Sequence, residues 1–321
     1  MKAYLGIDVG SISYKFVLID EKNQVLFWLY KRTEGNPILA IQNGFKDLRK
    51  FIENHRGEIK IAGIATTGSG RYLAGVIAGA DLVKNEITAH AKAISNFVPG
   101  VQTVIEIGGQ DSKIIVLENG VAIDFAMNLI CSAGTGAFLD AQAYRLGVPI
   151  EKFGELTLAS KNPTTIGSRC SVFAESDMIH KQQIGHKIGD IVAGLCQGLA
   201  RNYLSGVARG KKINPPIVFL GGVSENTGMR WAFEKALEQK IIVPPYNTVM
   251  GALGAAILIK TLAPSKTKFR GFDISEKDVK CASFQCRGCP NQCEVIEAKI
   301  EGKIVARWGD RCAKWSNLNP V

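Results

Sequence analysis

The sequence predicts a duplicated α/β fold, and three observations carry that prediction. Three strand-like stretches, a helix and a fourth strand open the chain in the order β-β-β-α-β. A comparable strand series starts again at Thr103. In each series an acidic residue followed by glycine stands in the turn between the first two strands, Asp8-Val9-Gly10-Ser11 in one and Glu106-Ile107-Gly108-Gly109-Gln110-Asp111 in the other.

Taken in order, YLGIDVGSISYKFVLID (4–20) places two β-rich stretches around DVGS, the pattern of a hairpin, and QVLFWLY (24–30) supplies a third strand. Pro37 then starts an amphipathic helix running to about Asn54, because proline suits the first helical position and cannot sit further in. KIAGIATTG follows as a strand ending in glycine. The second series, TVIEIGGQDSKIIVLENGVAIDFAMN (103–128), gives a strand, a glycine-rich turn, a second strand, an Asn119-Gly120 turn of hairpin type and a third strand. IVFLGGVSEN (217–226) is a further apolar strand ending on Gly221-Gly222 before a helix.

The turns suggest phosphate chemistry. Glycine lets backbone N–H groups approach phosphate oxygens, and a neighbouring carboxylate can hold Mg²⁺ or orient a water. Each turn taken alone is a weak signal, and a glycine pair after a strand is more often ordinary turn chemistry. Asp111 and Lys113 could equally be an exposed pair on a strand edge.

The motifs DVGSISYK, TTGSGR, EIGGQDSK, NLICSAGTGAFLD, SRCSVFAES, FLGGVSEN and PPYNTVMGALGAA stand in this order across about residues 3–262. Together they resemble the ATPase activators of 2-hydroxyacyl-CoA dehydratases and the ATPase subunits of benzoyl-CoA reductase. The resemblance implies the fold of actin, sugar kinases and heat-shock chaperones, in which two ribonuclease-H-like lobes hinge around ATP. It divides the chain into a first lobe (1–95 with 250–262), a second lobe (96–249) and a cysteine-rich segment (264–321).

By that resemblance Asp8, Gly10, Ser11 and Ser13 form a first phosphate loop with Lys15 behind it, and Glu106, Gly108, Gly109, Gln110 and Asp111 form a second. Gly134, Thr135 and Gly136 are expected at the phosphates, and Gly221 and Gly222 at the adenosine. Glu106 is the expected residue acting on the attacking water, with Asp8 and Asp111 serving Mg²⁺. Glu175 and Asp177 either line the nucleotide or cap a helix. The same resemblance makes Cys131 and Cys170 ligands of one 4Fe-4S cluster shared across a homodimer. Two thiolates per chain, doubled by a two-fold axis, supply the four such a cluster needs. The implied activity is ATP-driven transfer of one electron from ferredoxin or flavodoxin to an iron–sulfur dehydratase or related reductase. The readings set against it are a zinc-stabilised nucleotide switch and a small-molecule kinase of the same fold.

The C-terminal segment departs from the short activators. Residues 281–293 read C-x4-C-x2-C-x3-C, and Cys312 follows. Such crowding signals a metal, either a second iron–sulfur cluster or zinc, with Cys286, Cys289, Cys293 and Cys312 as the preferred ligands and Cys281 spare. Cys196, inside the apolar stretch IGDIVAGLCQGLA, reads as core. His55, His90, His180 and His186 show no clustered pattern and are left out of the site.

Composition sets the outer limits. The chain has 321 residues, 46% of them apolar, and 34 glycines, the profile of a well-packed, loop-rich globular protein. The formal charge of +10 is dispersed, with short basic stretches such as KFRGF (268–272) and RWGDRCAKW (307–315). No long basic block points to nucleic acid, and a dispersed basic surface suits an acidic electron carrier. No apolar run approaches a bilayer-spanning length, and Asp8 arrives too early for a secretory h-region. The chain is therefore placed in the cytoplasm, where eight cysteines read as thiols or metal ligands before disulfides.

Overall fold

The computed structural model describes residues 1–55, 58–128 and 131–316. Leu129 and Ile130 of the first cysteine motif, and the last five residues of the cysteine-rich segment, lie outside that set. The chain divides into two compact units, one made of Met1–Ala93 with the chain from Gly251 onward, the other of Ile94–Met250.

The first unit opens with β1 (Lys2–Val9), β2 (Ser13–Asp20) and β3 (Val25–Arg32), followed by α1 (Pro37–Asn54), β4 (Lys60–Thr67), α2 (Arg71–Ala78), β5 (Leu82–Val83) and α3 (Glu86–Phe97). Its sheet runs β3-β2-β1-β4-β5, antiparallel between β1, β2 and β3 and parallel from β1 through β4 to β5. The helix α1 forms where Pro37 predicts it, and the Asn36 side chain accepts from the Leu39 amide at 3.0 Å, satisfying one of the N-terminal donors a helix leaves open. Ala40, Ile41, Phe45, Leu48 and Ile52 recur on its buried face, and the Phe45 ring meets Phe16 of β2 edge-on at 5.2 Å.

The second unit repeats the plan with β6 (Thr103–Ile107), β7 (Ser112–Glu118) and β8 (Val121–Asn128), then α4 (Gly136–Leu146), α5 (Phe153–Ala159), α6 (Ser171–Gln183), α7 (Ile188–Ser205), β9 (Ile217–Leu220), α8 (Thr227–Leu237) and β10 (Ile241–Ile242). Its sheet order is β8-β7-β6-β9-β10, with the same antiparallel and parallel pairings as the first. Asn119 and Gly120 both have positive φ, 50° and 78°, as a tight hairpin turn requires. The core of this unit gathers Ile105, Ile107 and Ile114 under α4 to α8, around Tyr203, Phe219 and Phe233.

The chain then returns to the first unit through α9 (Met250–Leu262). Here Gly254 lets the helix approach α3 closely, since a methyl group at Gly254 would come within 1.8 Å of the Ala89 carbonyl oxygen. The cysteine-rich segment forms a meander of its own, β11 (Val279–Gln285), β12 (Glu294–Ile300) and β13 (Lys303–Trp308). It is anchored to the first unit. The Asp81 carboxylate accepts from Thr267 Oγ1 at 2.8 Å and the Lys268 amide at 2.6 Å, and Arg270 Nε donates to the Val76 carbonyl at 2.9 Å. Phe269 stacks on Phe45 at 5.8 Å. Among the described residues no helix is long and apolar enough to cross a membrane.

Candidate functional site

The duplication extends to individual side chains. In the first unit β1 carries Asp8 next to its last residue, the Gly10 amide donates to the Ser13 carbonyl at 2.9 Å, and Lys15 on β2 stands opposite Asp8 with Nζ 3.3 Å from Oδ2. In the second, β6 carries Glu106, the Gly108 amide donates to the Asp111 carbonyl at 3.0 Å, and Lys113 on β7 stands opposite Glu106. Lys113 Nζ lies 2.9 Å from both Glu106 Oε2 and Asp111 Oδ1. Acid, glycine, loop closure and lysine thus recur at the same offsets, with the acid and the lysine seven positions apart in each copy.

The second turn is the more deeply set. Glu106 and Lys113 are 6% and 4% exposed, so the reading of Asp111 and Lys113 as an exposed edge pair fails: β8 covers β7, which makes it an interior strand, and Asp111 alone reaches partial exposure. Burial opposes the Lys113 charge, but the Glu106 and Asp111 carboxylates outweigh it and hold its pKa above that of free lysine. Tyr203 of α7 donates to the Lys113 carbonyl at 2.7 Å and fixes the strand from behind.

Several features fit a magnesium nucleotide. Among the described residues, the amides of Ser11 and Ile12 in the first turn, and of Gly109 and Gln110 in the second, donate no backbone hydrogen bond, which leaves them available to anionic oxygens. Asp8 is cradled by two glycines: a methyl at Gly68, where φ is +88°, would fall 2.4 Å from its Oδ1, and one at Gly251 would fall 2.8 Å from its Oδ2. Gly221, with φ of +86°, is pressed against β6, because a methyl there would sit 2.8 Å from Glu106 Oε1. Gly222 opens a short 3-10 turn directly after it. Thr67 Oγ1 and Ser112 Oγ, buried at the root of each turn, have no partner among the described residues.

The Gly134-Thr135-Gly136 segment is bonded to the second turn through backbone amides. The Thr135 amide donates to Ser132, the Gly136 amide to Gly108 at 2.9 Å and the Ala137 amide to Gly109 at 2.8 Å. The first donors of α4 are therefore committed to the carbonyls of the second turn, and the segment braces that turn.

The cysteines take up distinct settings. Cys131 precedes a 3-10 turn (Ser132–Gly134), Cys170 caps α6, and both are partly exposed. Val172 and Phe173 beside Cys170 are 66% and 73% exposed. Glu175 pairs with Arg145 of α4 at 2.9 Å, and Asp177 accepts from the Gly167 amide at 2.8 Å, holding the loop that leads to Cys170. Cys196 is fully buried on α7, within 3.4 Å of Thr157 Oγ1, and burial pushes its thiol up to about 11. Iodoacetamide at pH 8 should therefore modify Cys131 and Cys170 in the native protein and spare Cys196. Alkylation of Cys196 at a similar rate would show that α7 opens.

In the tail the Cys286 amide donates to the Cys293 carbonyl at 2.8 Å, closing the loop between β11 and β12 with Cys289 exposed upon it. Cys281 lies on β11 and Cys312 beyond β13, both exposed. Trp315 Nε1 donates to Cys286 Sγ at 3.3 Å and, with the Gly288 amide and Lys314, holds that thiol below the ordinary cysteine range. Among the described residues no group of three or more His, Cys, Asp or Glu side chains is gathered to hold a metal ion.

Sequence reasoning left out Lys113 and His90. The equal acid-to-lysine spacing in the two copies is the signal for the first. His90 is 6% exposed, its Nδ1 has no partner among the described residues, and its Nε2 would lie 3.4 Å from a methyl at Gly251, beside Asp8. A lone histidine in a helix gives no sequence signal for that placement.

Two units of identical sheet order, each with an acid, a glycine turn and a cross-strand lysine, define a duplicated ribonuclease-H-like ATPase. A glucokinase of the ROK family from Streptomyces griseus shares this fold, with a TM-score of 0.51 at 14% identity over 81% of this chain and 99% of its own. The chain belongs to the BadF/BadG/BcrA/BcrD ATPase family, whose model matches residues 5–258. The (R)-2-hydroxyglutaryl-CoA dehydratase activating ATPase of Acidaminococcus fermentans is 36% identical over 259 residues, which is 79% of this chain and 95% of that protein. The solved activator of the 2-hydroxyisocaproyl-CoA dehydratase from Clostridium difficile, with bound ADPNP, superposes with a TM-score of 0.72 at 32% identity, covering 81% of this chain and 95% of the other.

Proposed function

We propose that this ATPase activates an iron–sulfur dehydratase of 2-hydroxyacyl-CoA thioesters, or a related reductase, by delivering one electron at the expense of ATP. The observation that carries this reading is the direct bonding between the second glycine turn and the start of α4, Gly136 N–H to Gly108 and Ala137 N–H to Gly109, within a few residues of Cys131. Nucleotide chemistry at the turn and thiol chemistry at Cys131 share one short run of backbone. The relatives named for dehydratase activation support the choice of partner.

In this reading the free amides of both turns bind phosphate oxygens, Asp8 and Asp111 serve the Mg²⁺ shell, and Gly221 and Gly222 lie along the adenosine. Glu106 acts on the attacking water. Because its Oε2 is held by Lys113, Oε1 is left to orient the water. Cys131 and Cys170 would hold a 4Fe-4S cluster jointly with the same pair from a second copy. The residues fit: two partly exposed thiols per chain, each at the start of a helical turn, with the exposed Val172 and Phe173 alongside to be covered by a dimer partner. When bound, that cluster supplies a one-electron store. The net charge of +10 favours an acidic ferredoxin or flavodoxin as the donor, in the cytoplasm.

Anaerobic purification, metal analysis and EPR of the dithionite-reduced protein with and without ATP test this reading. About four irons per dimer and an ATP-sensitive signal are expected; about twelve would add a cluster in each tail. Zinc without iron would overturn the electron-transfer reading and leave a nucleotide-dependent switch stabilised by the tail thiols.

A further inference from the structure

We infer that Asn128 and Asn202 are positioning residues that tie the thiols of Cys131 and Cys170 to the second glycine turn, so that occupancy of the turn is felt at both sulfurs. The inference rests on the reading of that turn as the nucleotide site and names the side chains that transmit its state. Asn128 ends β8, opposite Ser112 of β7, the residue directly after Asp111. Its side chain brackets Cys131 from both sides: Oδ1 accepts from the Cys131 amide at 3.0 Å, and Nδ2 donates to the Cys131 carbonyl at 2.7 Å. Both backbone groups of the cysteine are thus referred to the strand that neighbours the turn, and the Sγ position follows.

Asn202 of α7 does the same for the other cysteine. Its Nδ2 donates to the Ser168 carbonyl at 2.6 Å, two residues before Cys170, and Arg201 Nη2 donates to the Ile166 carbonyl at 2.9 Å. The carbonyl end of the Asn202 amide faces Gly134. A methyl group at Gly134 would come within 3.0 Å of Asn202 Oδ1 and 3.7 Å of both Asn128 Nδ2 and Ser112 Oγ. Gly134 is therefore the point where the two asparagines and the strand carrying the turn converge, and the adjoining Gly136 amide bonds directly to Gly108. Amide side chains suit this task, since one group donates and accepts at once and the bonds have defined directions. A displacement of Gly108–Asp111 by a bound phosphate would pass through β7 and the Gly134 segment to Cys131, and through Asn202 to Cys170.

Alkylation of the metal-free protein by iodoacetamide, followed at each cysteine by mass spectrometry with and without a non-hydrolysable ATP analogue, tests this. In the wild type the analogue should change the rates at Cys131 and Cys170 by about fivefold or more, the range of ordinary coupling between sites. Asn202→Ala should abolish the response at Cys170 and keep it at Cys131, and Asn128→Ala should abolish it at Cys131. Asn202→Asp and Asn128→Asp, which keep shape and lose the donor, should weaken the responses in the same pattern and serve where an alanine variant fails to fold. Undiminished responses in the variants would overturn the inference. Calorimetry of the analogue on the same samples separates the readings: binding with no thiol response in the wild type overturns the coupling alone, whereas absence of binding overturns the nucleotide reading together with it.

Discussion

Lys113→Met is expected to slow ATP hydrolysis by about a hundredfold, the cost typical of removing one preorganised charge from an active site. The lysine is almost wholly buried and answers two carboxylates at 2.9 Å each. Without it Glu106 and Asp111 face each other in a poorly solvated turn, and their repulsion moves both from the positions assigned to the water and to Mg²⁺. Stability should also suffer, because breaking a buried pair by removing one partner costs about 3–5 kcal/mol. That corresponds to a fall in Tm of roughly 6–20 °C for a unit of this size. The sign of the pH dependence follows from the raised Lys113 pKa. A cation whose folded pKa lies above its unfolded value stabilises fully below the unfolded value, about 10.4, and loses that contribution only as pH rises through the folded one. The stability gap between wild type and variant should therefore be flat from pH 6 to 9 and close only in strong alkali. Lys113→Arg, which keeps the charge, should recover part of the rate. Single-turnover hydrolysis and thermal unfolding across that pH range check both expectations, and an unchanged rate in the methionine variant would remove Lys113 from the site.

That residue also shows where the sequence stops being informative. The order of the strands along the chain, the two glycine turns and the start of α1 were legible because each depends on local spacing: alternating apolar residues, glycine after an acid, proline at the first helical position. Lys113 beside Gly-Gln-Asp reads as polar edge, and its burial is set by β8 on one side and by Tyr203, ninety positions away, behind it. The Gly-Thr-Gly turn was legible as a turn, but the partners of its amides are carbonyls of Gly108 and Gly109, which no local pattern reveals. His90 is brought beside Asp8 by the close approach of α9 to α3, a contact that depends on Gly254 and Ala89 meeting in space. In the tail the cysteine spacing drew attention to metal binding and away from the three strands that carry it. Their alternation is weak, since β11 is exposed along most of its length and the buried residues of β12, Val295, Ala298 and Ile300, do not keep a two-residue period.

Cys131→Ser and Cys170→Ser carry the other large effect. Each is expected to abolish the visible absorbance obtained on anaerobic reconstitution with iron and sulfide, and with it ATP-dependent activation of the partner enzyme, while nucleotide affinity changes less than about twofold. The separation follows from geometry. Neither sulfur takes part in the hydrogen bonds that hold the second turn, which run from Gly136 and Ala137 to Gly108 and Gly109 and from Lys113 to Glu106 and Asp111. A serine oxygen in place of sulfur leaves that framework intact and replaces a soft thiolate with a hydroxyl that stays protonated at neutral pH. Because a cluster shared between two chains draws two ligands from each, a single substitution removes two of the four at once, so the loss should be near complete in either variant and not half. A variant retaining half the absorbance would point instead to a separate site in each chain. Retention of all of it would move the iron to the tail, where Cys286, already held below the ordinary thiol range by the Trp315 indole, is the best-prepared ligand.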